Sequence, residues 1–283
     1  LLSSGADFSV WLAERYLWVP EYTRDAARWV SVIYSVATVA ATGLLGGLLV
    51  DLRLGWRRAL TSDAGLLASL LAGVNILLVR QAPLAGMDTP LAFWFAISAL
   101  GSMRLLRVGA LRAYLFAGAL VGVCAATKYP GASTAGSVLV AHLFARRGIL
   151  DRRLWAAGAA SVAVFLLLSP YTLLDASSFR SGFLYQLQHA TGGRWGIEHG
   201  PLYQLWTTLR YGTGLLGWLS WLAICGWALW RRAPSHLVVL AAMAFGYVAV
   251  SWGELTFARY VLPLVPLQLA LLALGIGPGD EVI

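Results

Sequence analysis

Lys128 is the only lysine among the 21 basic residues of this chain, and it closes a continuously apolar stretch, Tyr114 to Ala126, in the segment Thr127-Lys128-Tyr129-Pro130-Gly131. An ammonium at the mouth of an apolar helix is costly unless it reaches the interface or something there needs positive charge. Other ionisable residues stand beside or between apolar runs: Asp88, His189, Arg194, Glu198, His199, Glu254 and Arg259. Lysine supplies a compact point charge, and arginine a fork of parallel N–H groups. A carboxylate at Asp88 can orient a hydroxyl or bind a cation or a basic partner. It can equally cap the helix that Thr89-Pro90 opens. Tyr129 and Tyr260, each beside a cation, add phenolic donors. The plainer alternatives are a snorkelling Lys128 and an Arg259 that pairs with Glu254. His189 and His199 lack a third ligand at metal spacing and read as loop histidines. Cys124 and Cys225 lie inside apolar runs with no metal spacing.

The elements that carry these residues must be membrane helices. Of 283 residues 59% are hydrophobic and 12% charged, and the mean hydropathy is +0.72. A soluble globular domain has about twice that charged fraction. Nine apolar runs are candidate spans, at roughly 27–50, 64–80, 89–105, 111–127, 131–146, 154–173, 212–230, 235–252 and 259–276. They are continuously apolar rather than alternating, which excludes a β-barrel. The fold class is all-α: a polytopic helical bundle forming one membrane-embedded domain over 1–283. The sequence begins at Leu1 without a signal peptide and reads as a fragment of a longer protein.

The connecting loops sort into two alternating sets. Asp51–Asp63, Arg104–Arg112, Arg146–Arg153 and Arg231–Arg232 hold twelve of the basic residues. By the positive-inside rule they are cytoplasmic. The other set carries Asp88, Lys128 and Arg259 and falls on the extracytoplasmic side. The net charge of +8 therefore reports topology and requires no nucleic-acid partner.

The longest outer loop, about 174–211, holds two amphipathic pieces. In the first, Phe179, Phe183, Leu184 and Leu187 share a helical face, with Arg180, Gln186 and Gln188 turned away. In the second, Tyr203, Trp206 and Leu209 share a face, with Gln204 and Thr208 turned away. Such pieces lie in the membrane plane, either covering a cavity entrance or resting on headgroups. Residues 1–26 form a third, with Phe8, Trp11, Leu12, Tyr16 and Val19 on one face and Asp7, Glu14, Glu21 and Asp25 in solvent.

Four segments, in order, resemble a known family: Arg80-Gln81-Ala82-Pro83-Leu84-Ala85-Gly86-Met87-Asp88-Thr89-Pro90-Leu91; Gly118 to Gly122 leading into Thr127-Lys128-Tyr129-Pro130-Gly131; Ser169-Pro170-Tyr171; and Arg259-Tyr260-Val261-Leu262-Pro263-Leu264-Val265-Pro266. Together they resemble glycosyltransferases of the protein O-mannosyltransferase and aminoarabinose-transferase type, with the GT-C fold. The resemblance implies a donor sugar carried on a polyprenyl phosphate. It implies an acceptor hydroxyl on protein, lipid or glycan, attack at the anomeric carbon, and cations that stabilise the departing lipid phosphate. Lys128, Arg259, Tyr129, Tyr260 and Asp88 are the substrate-binding candidates. No cofactor is implied, and a divalent metal is left open. The family's acidic Asp-Glu step in its first outer loop has no counterpart here, so the general base is expected upstream of Leu1, and this chain lacks the first span and first outer loop. The localisation implied is a bacterial plasma membrane.

A transporter or channel subunit is the alternative, but it would show internal repeats and charges at the bilayer midplane. A structural scaffold would show no convergence of polar groups. The separating question is whether Asp88, Lys128 and Arg259 meet.

Overall fold

The computed structural model describes residues 21–145, 148–191, 201–251 and 258–276. Its helices are α1 (Glu21–Val50), α2 (Trp56–Thr61), α3 (Asp63–Val74), α4 (Ile76–Gln81), α5 (Asp88–Val108), α6 (Leu111–Thr127), α7 (Ala135–Phe144), α8 (Arg152–Leu168), α9 (Tyr171–Leu174), α10 (Ala176–Thr191), α11 (Pro201–Tyr203), α12 (Arg210–Arg231), α13 (Pro234–Ser251) and α14 (Val265–Ile276). A 3-10 turn, Tyr129–Thr134, joins α6 to α7, a second, Ala258–Leu264, leads into α14, and a π-helical segment, Gln204–Leu209, joins α11 to α12. No strand occurs among the described residues, so the chain is the all-α bundle its composition requires.

The nine apolar runs all appear as helix, yet several are broken. Among the described residues, four helical stretches are long and apolar enough to cross a membrane by length and composition: Arg24–Val50, Asp88–Val108, Thr213–Arg231 and Pro234–Ser251. The run 64–80 divides at Asn75, whose side chain accepts hydrogen bonds from the amides of Leu77 and Leu78 and so starts α4 afresh. Ser169-Pro170 ends α8, and Pro263 holds the opening of the last run in a 3-10 turn. The expected count of nine crossings is thus not reproduced by unbroken helices. Residues 1–20 of the first expected interfacial helix lie outside the described residues, and Glu21 and Asp25 belong to α1 itself.

α5 is the centre of the bundle. It packs on α1, α6, α7 and α13, and its Leu91, Phe95, Ala99 and Met103 are buried in the main core. Lipid is as apolar as leucine, so helix association here depends on close approach rather than on water exclusion. Small residues provide it. At Gly118 of α6 a Cβ would overlap the carbonyl of Ala157 on α8, and at Gly47 of α1 it would overlap that of Ala59 on α2. α6 and α8 consequently form an intimate pair.

One end of the bundle gathers the arginine loops. Arg107 Nη1 donates to the Leu52 carbonyl at 2.8 Å, and Arg153 Nη1 donates to the Gly109 carbonyl at 2.9 Å. Three of the loops assigned to one side from charge alone are therefore stitched together. Asp88, Lys128 and Arg259 stand at helix ends of the opposite pole.

Candidate active site

Lys128 ends α6 in an extended conformation (φ −161°, ψ 133°), which turns the chain out of the helix and into the 3-10 turn that follows. Pro130 cannot continue an α-helix, and Gly131 lets the turn fold against the Cys124 carbonyl, where a Cβ would clash. The Thr-Lys-Tyr-Pro-Gly sequence thus fixes the direction of the lysine. Its ammonium donates to Asp88 Oδ1 at 2.6 Å and lies 4.4 Å from the ring centroid of Tyr260.

Asp88 is the first residue of α5. The helix takes Met87 as its N-cap, with no side-chain cap bond. The capping role weighed for Asp88 is not the one it plays. Its side chain is only 12% exposed, and its second oxygen meets Arg259 Nε at 3.5 Å. The bond from Lys128 joins residues 40 positions apart.

Arg259 and Tyr260 open the segment Ala258–Leu264, whose Val261, Leu262 and Leu264 are fully buried and anchor it against α5 and α13. Arg259 lies 5.9 Å from the Tyr260 ring and keeps a half-exposed side chain. Tyr260 thus sits under both cations, and its π face favours positive charge by about 0.5–2 kcal/mol per contact. Glu254, the alternative partner of Arg259, lies outside the described residues.

Among the described residues, two cations share one carboxylate. Lys128 is about one-third exposed and offers three N–H donors, of which Asp88 takes one. The carboxylate faces both cations, Lys128 Nζ at 2.6 Å and Arg259 Nε at 3.5 Å. No cluster of three or more histidines, cysteines or carboxylates gathers among the described residues.

Tyr129 stands apart from this trio. Its ring packs edge-on against Phe183 at 5.4 Å and Phe179 at 6.3 Å, both on α10, and the two phenylalanines stack on each other at 6.1 Å. Tyr129 therefore anchors the amphipathic α10 beside the site. The Phe179–Phe183 face expected from the sequence is the one used. Asp175 caps α10, and hydrogen bonds from Ser178 and Ser177 hold its carboxyl below the usual carboxylate range. His189 belongs to α10, whereas Arg194, Glu198 and His199 lie outside the described residues.

The second amphipathic piece departs from expectation. α-Helical periodicity turns Gln204 outward, yet it is completely buried, and Trp206 is 59% exposed. The cause is the π-helical segment, which turns each residue less than an α-helix does and so rotates Gln204 inward.

The fold is similar to two solved structures of ArnT from Cupriavidus metallidurans. With the apo form it shares 18% identity and a TM-score of 0.63, over 88% of this chain and 45% of that one. With the form bound to undecaprenyl phosphate it shares 17% identity and a TM-score of 0.63, over 96% of this chain and 49% of that one. The chain thus spans about half the length of these structures. A comparison with curated proteins finds no match. Residues 8–173 match the family described as dolichyl-phosphate-mannose-protein mannosyltransferase, a stretch that contains both Asp88 and Lys128. On that match, and with the glycosyltransferase fold beside it, the chain belongs to the dolichyl-phosphate-mannose-protein mannosyltransferase family.

Proposed function

We propose that the full-length protein transfers a sugar from a polyprenyl-phosphate donor to an acceptor hydroxyl at the extracytoplasmic face of a membrane. The observation that carries this reading is the meeting of Lys128, Asp88 and Arg259, contributed by α6, α5 and the turn before α14. The fold of the undecaprenyl-phosphate-bound ArnT supports it in kind. The distribution of arginines supports the sidedness, since the site stands at the pole opposite the basic loops.

In the transfer, the acceptor oxygen bonds to the anomeric carbon as the bond from that carbon to the phosphate oxygen breaks. The bonding pair leaves on the lipid phosphate, whose negative charge grows in the transition state. Cations already in place at that point lower the barrier, and one such donor is worth about 10²–10³ in rate. Lys128 and Arg259 fill this role. Asp88 is assigned to orient them. Both of its oxygens face cations, so the acceptor's proton goes to a different base. Tyr260 supports the cations through its ring, and Tyr129 positions α10 over the donor. The acceptor, whether protein, lipid or glycan, takes its place on the outer side.

The test is a donor and acceptor screen on the complete protein, followed by Lys128→Ala and Arg259→Ala. Both variants are expected to express normally and to lose transfer by about 10²-fold or more. Unchanged transfer in both would refute the phosphate role.

A further inference from the structure

The turn that aims Lys128 is closed by polar groups that the phosphate chemistry does not use. The Lys128 amide donates to the Cys124 carbonyl at 3.1 Å, and the Gly131 amide donates to the Lys128 carbonyl at 2.7 Å. Thr134 Oγ1 donates to the Gly131 carbonyl at 2.9 Å. That proton is committed to the carbonyl, so the further hydrogen bond between Thr134 and Cys124 is donated by the thiol. The bonds therefore run in a ring: out of the last turn of α6, through Lys128 and the 3-10 turn, and back to α6. A second tie leads from the ring to the helix that begins with Asp88. Ser137 Oγ donates to the Thr134 carbonyl at 2.7 Å and lies 2.8 Å from Ser102 Oγ on α5. Ser102, Cys124, Thr134 and Ser137 are all fully buried.

Valine has the shape of threonine and would fill the same space without burying a hydroxyl. In the apolar interior of a membrane bundle a polar group must find its partners inside the protein, and Thr134 finds one for its proton and one for its oxygen. A satisfied network of this kind rigidifies the backbone that it joins. Here the ring fixes the point at which the Lys128 side chain leaves the backbone, and the tie to Ser102 fixes that point against α5. The bond from Lys128 to Asp88, at 2.6 Å, spans the same elements. A misplacement of about 1 Å caused by a residue far from the chemistry can cost about 10²-fold in rate.

We propose that Thr134 is a positioning residue for Lys128: its hydroxyl closes the ring that holds the ammonium against Asp88, and Ser137 keys that ring to α5. This rests on the assignment of the lipid phosphate to Lys128. Thr134 touches no substrate and acts through the lysine alone.

The experiment is a double-mutant cycle on the complete protein in nanodiscs, read as the affinity of the folded fraction for bare polyprenyl phosphate. Thr134→Val is expected to weaken binding about fivefold, and Thr134→Ser, which keeps the hydroxyl, to stay within about twofold of wild type. In the Lys128→Ala background Thr134→Val should have no further effect, because the group it positions is gone. Should Thr134→Val fail to fold, Ser137→Ala carries the same comparison, since it cuts the tie to α5 and leaves the ring closed. It is expected to weaken binding about threefold in wild type and not at all in Lys128→Ala. The positioning role is overturned if the variant binds as wild type does, if it weakens binding by the same factor with and without Lys128, or if Thr134→Ser binds as weakly as Thr134→Val. Equal binding by wild type and Lys128→Ala would instead overturn the phosphate assignment beneath it.

Discussion

The two poles of the bundle are both rich in positive charge, and they use it differently. At the arginine pole, Arg107 and Arg153 donate to backbone carbonyls, and Arg57 lies over the ring of the neighbouring Trp56. The carboxylates there serve the backbone: Asp51 and Asp151 accept from the amides of Arg53 and Arg153. At the other pole, cations from two distant segments converge on a single, mostly buried carboxylate. The first pattern is the kind that biases orientation in a bilayer, and it is expected to tolerate the loss of any one charge. The second has a centre, and removing one member leaves the others misplaced.

Breaking the converging pole should have the largest effect. The double variant Lys128→Ala/Arg259→Ala is expected to lower transfer by about 10³-fold or more, measured as sugar released from the charged lipid under single-turnover conditions. Asp88→Asn should cost less, about tenfold, because the cations remain but lose their common tether. A loss as great as that of the double variant would mean that Asp88 touches the acceptor itself.

Gly118→Leu examines the scaffold that supports Lys128 at the end of α6. Its side chain would meet the Ala157 carbonyl, and overpacking of this kind costs about 1–3 kcal/mol. A lower thermal midpoint with near-normal binding of lipid phosphate by the folded fraction is the expected result. The smallest effect belongs to the arginine pole. Arg57→Gln/Arg58→Gln, both exposed, should change transfer less than threefold and stability by less than about 1 kcal/mol. A large loss of transfer there would erase the distinction between the poles.

Much of this arrangement is written locally in the chain. Continuous apolar runs give the all-α class, and the arginine loops give the two poles. Thr127 to Gly131 gives the turn that aims Lys128, because Pro130 and Gly131 act through the backbone alone. The partnership of Lys128 with Asp88 is not local: it depends on the way α5 and α6 pack, across 40 positions. The breaks at Asn75 and Pro263 divide runs whose hydropathy is uninterrupted, so composition overstates the length of single helices. Gln204 is buried against its α-helical periodicity because that periodicity assumes a constant turn per residue, which a π-helical segment violates. The place of Tyr129 beside Lys128 in the chain suggests a phenolic donor, and the fold adds ring contacts to Phe179 and Phe183 that the sequence does not show. A position in sequence names a neighbour without giving a direction.

The most direct test of the phosphate site is the affinity of bare polyprenyl phosphate for the complete protein in nanodiscs, compared across wild type, Lys128→Ala and Arg57→Gln/Arg58→Gln. At least tenfold weaker binding in Lys128→Ala, with the arginine-pole variant indistinguishable from wild type, is the predicted result. Equal affinity in all three, or a loss confined to the arginine-pole variant, would contradict it.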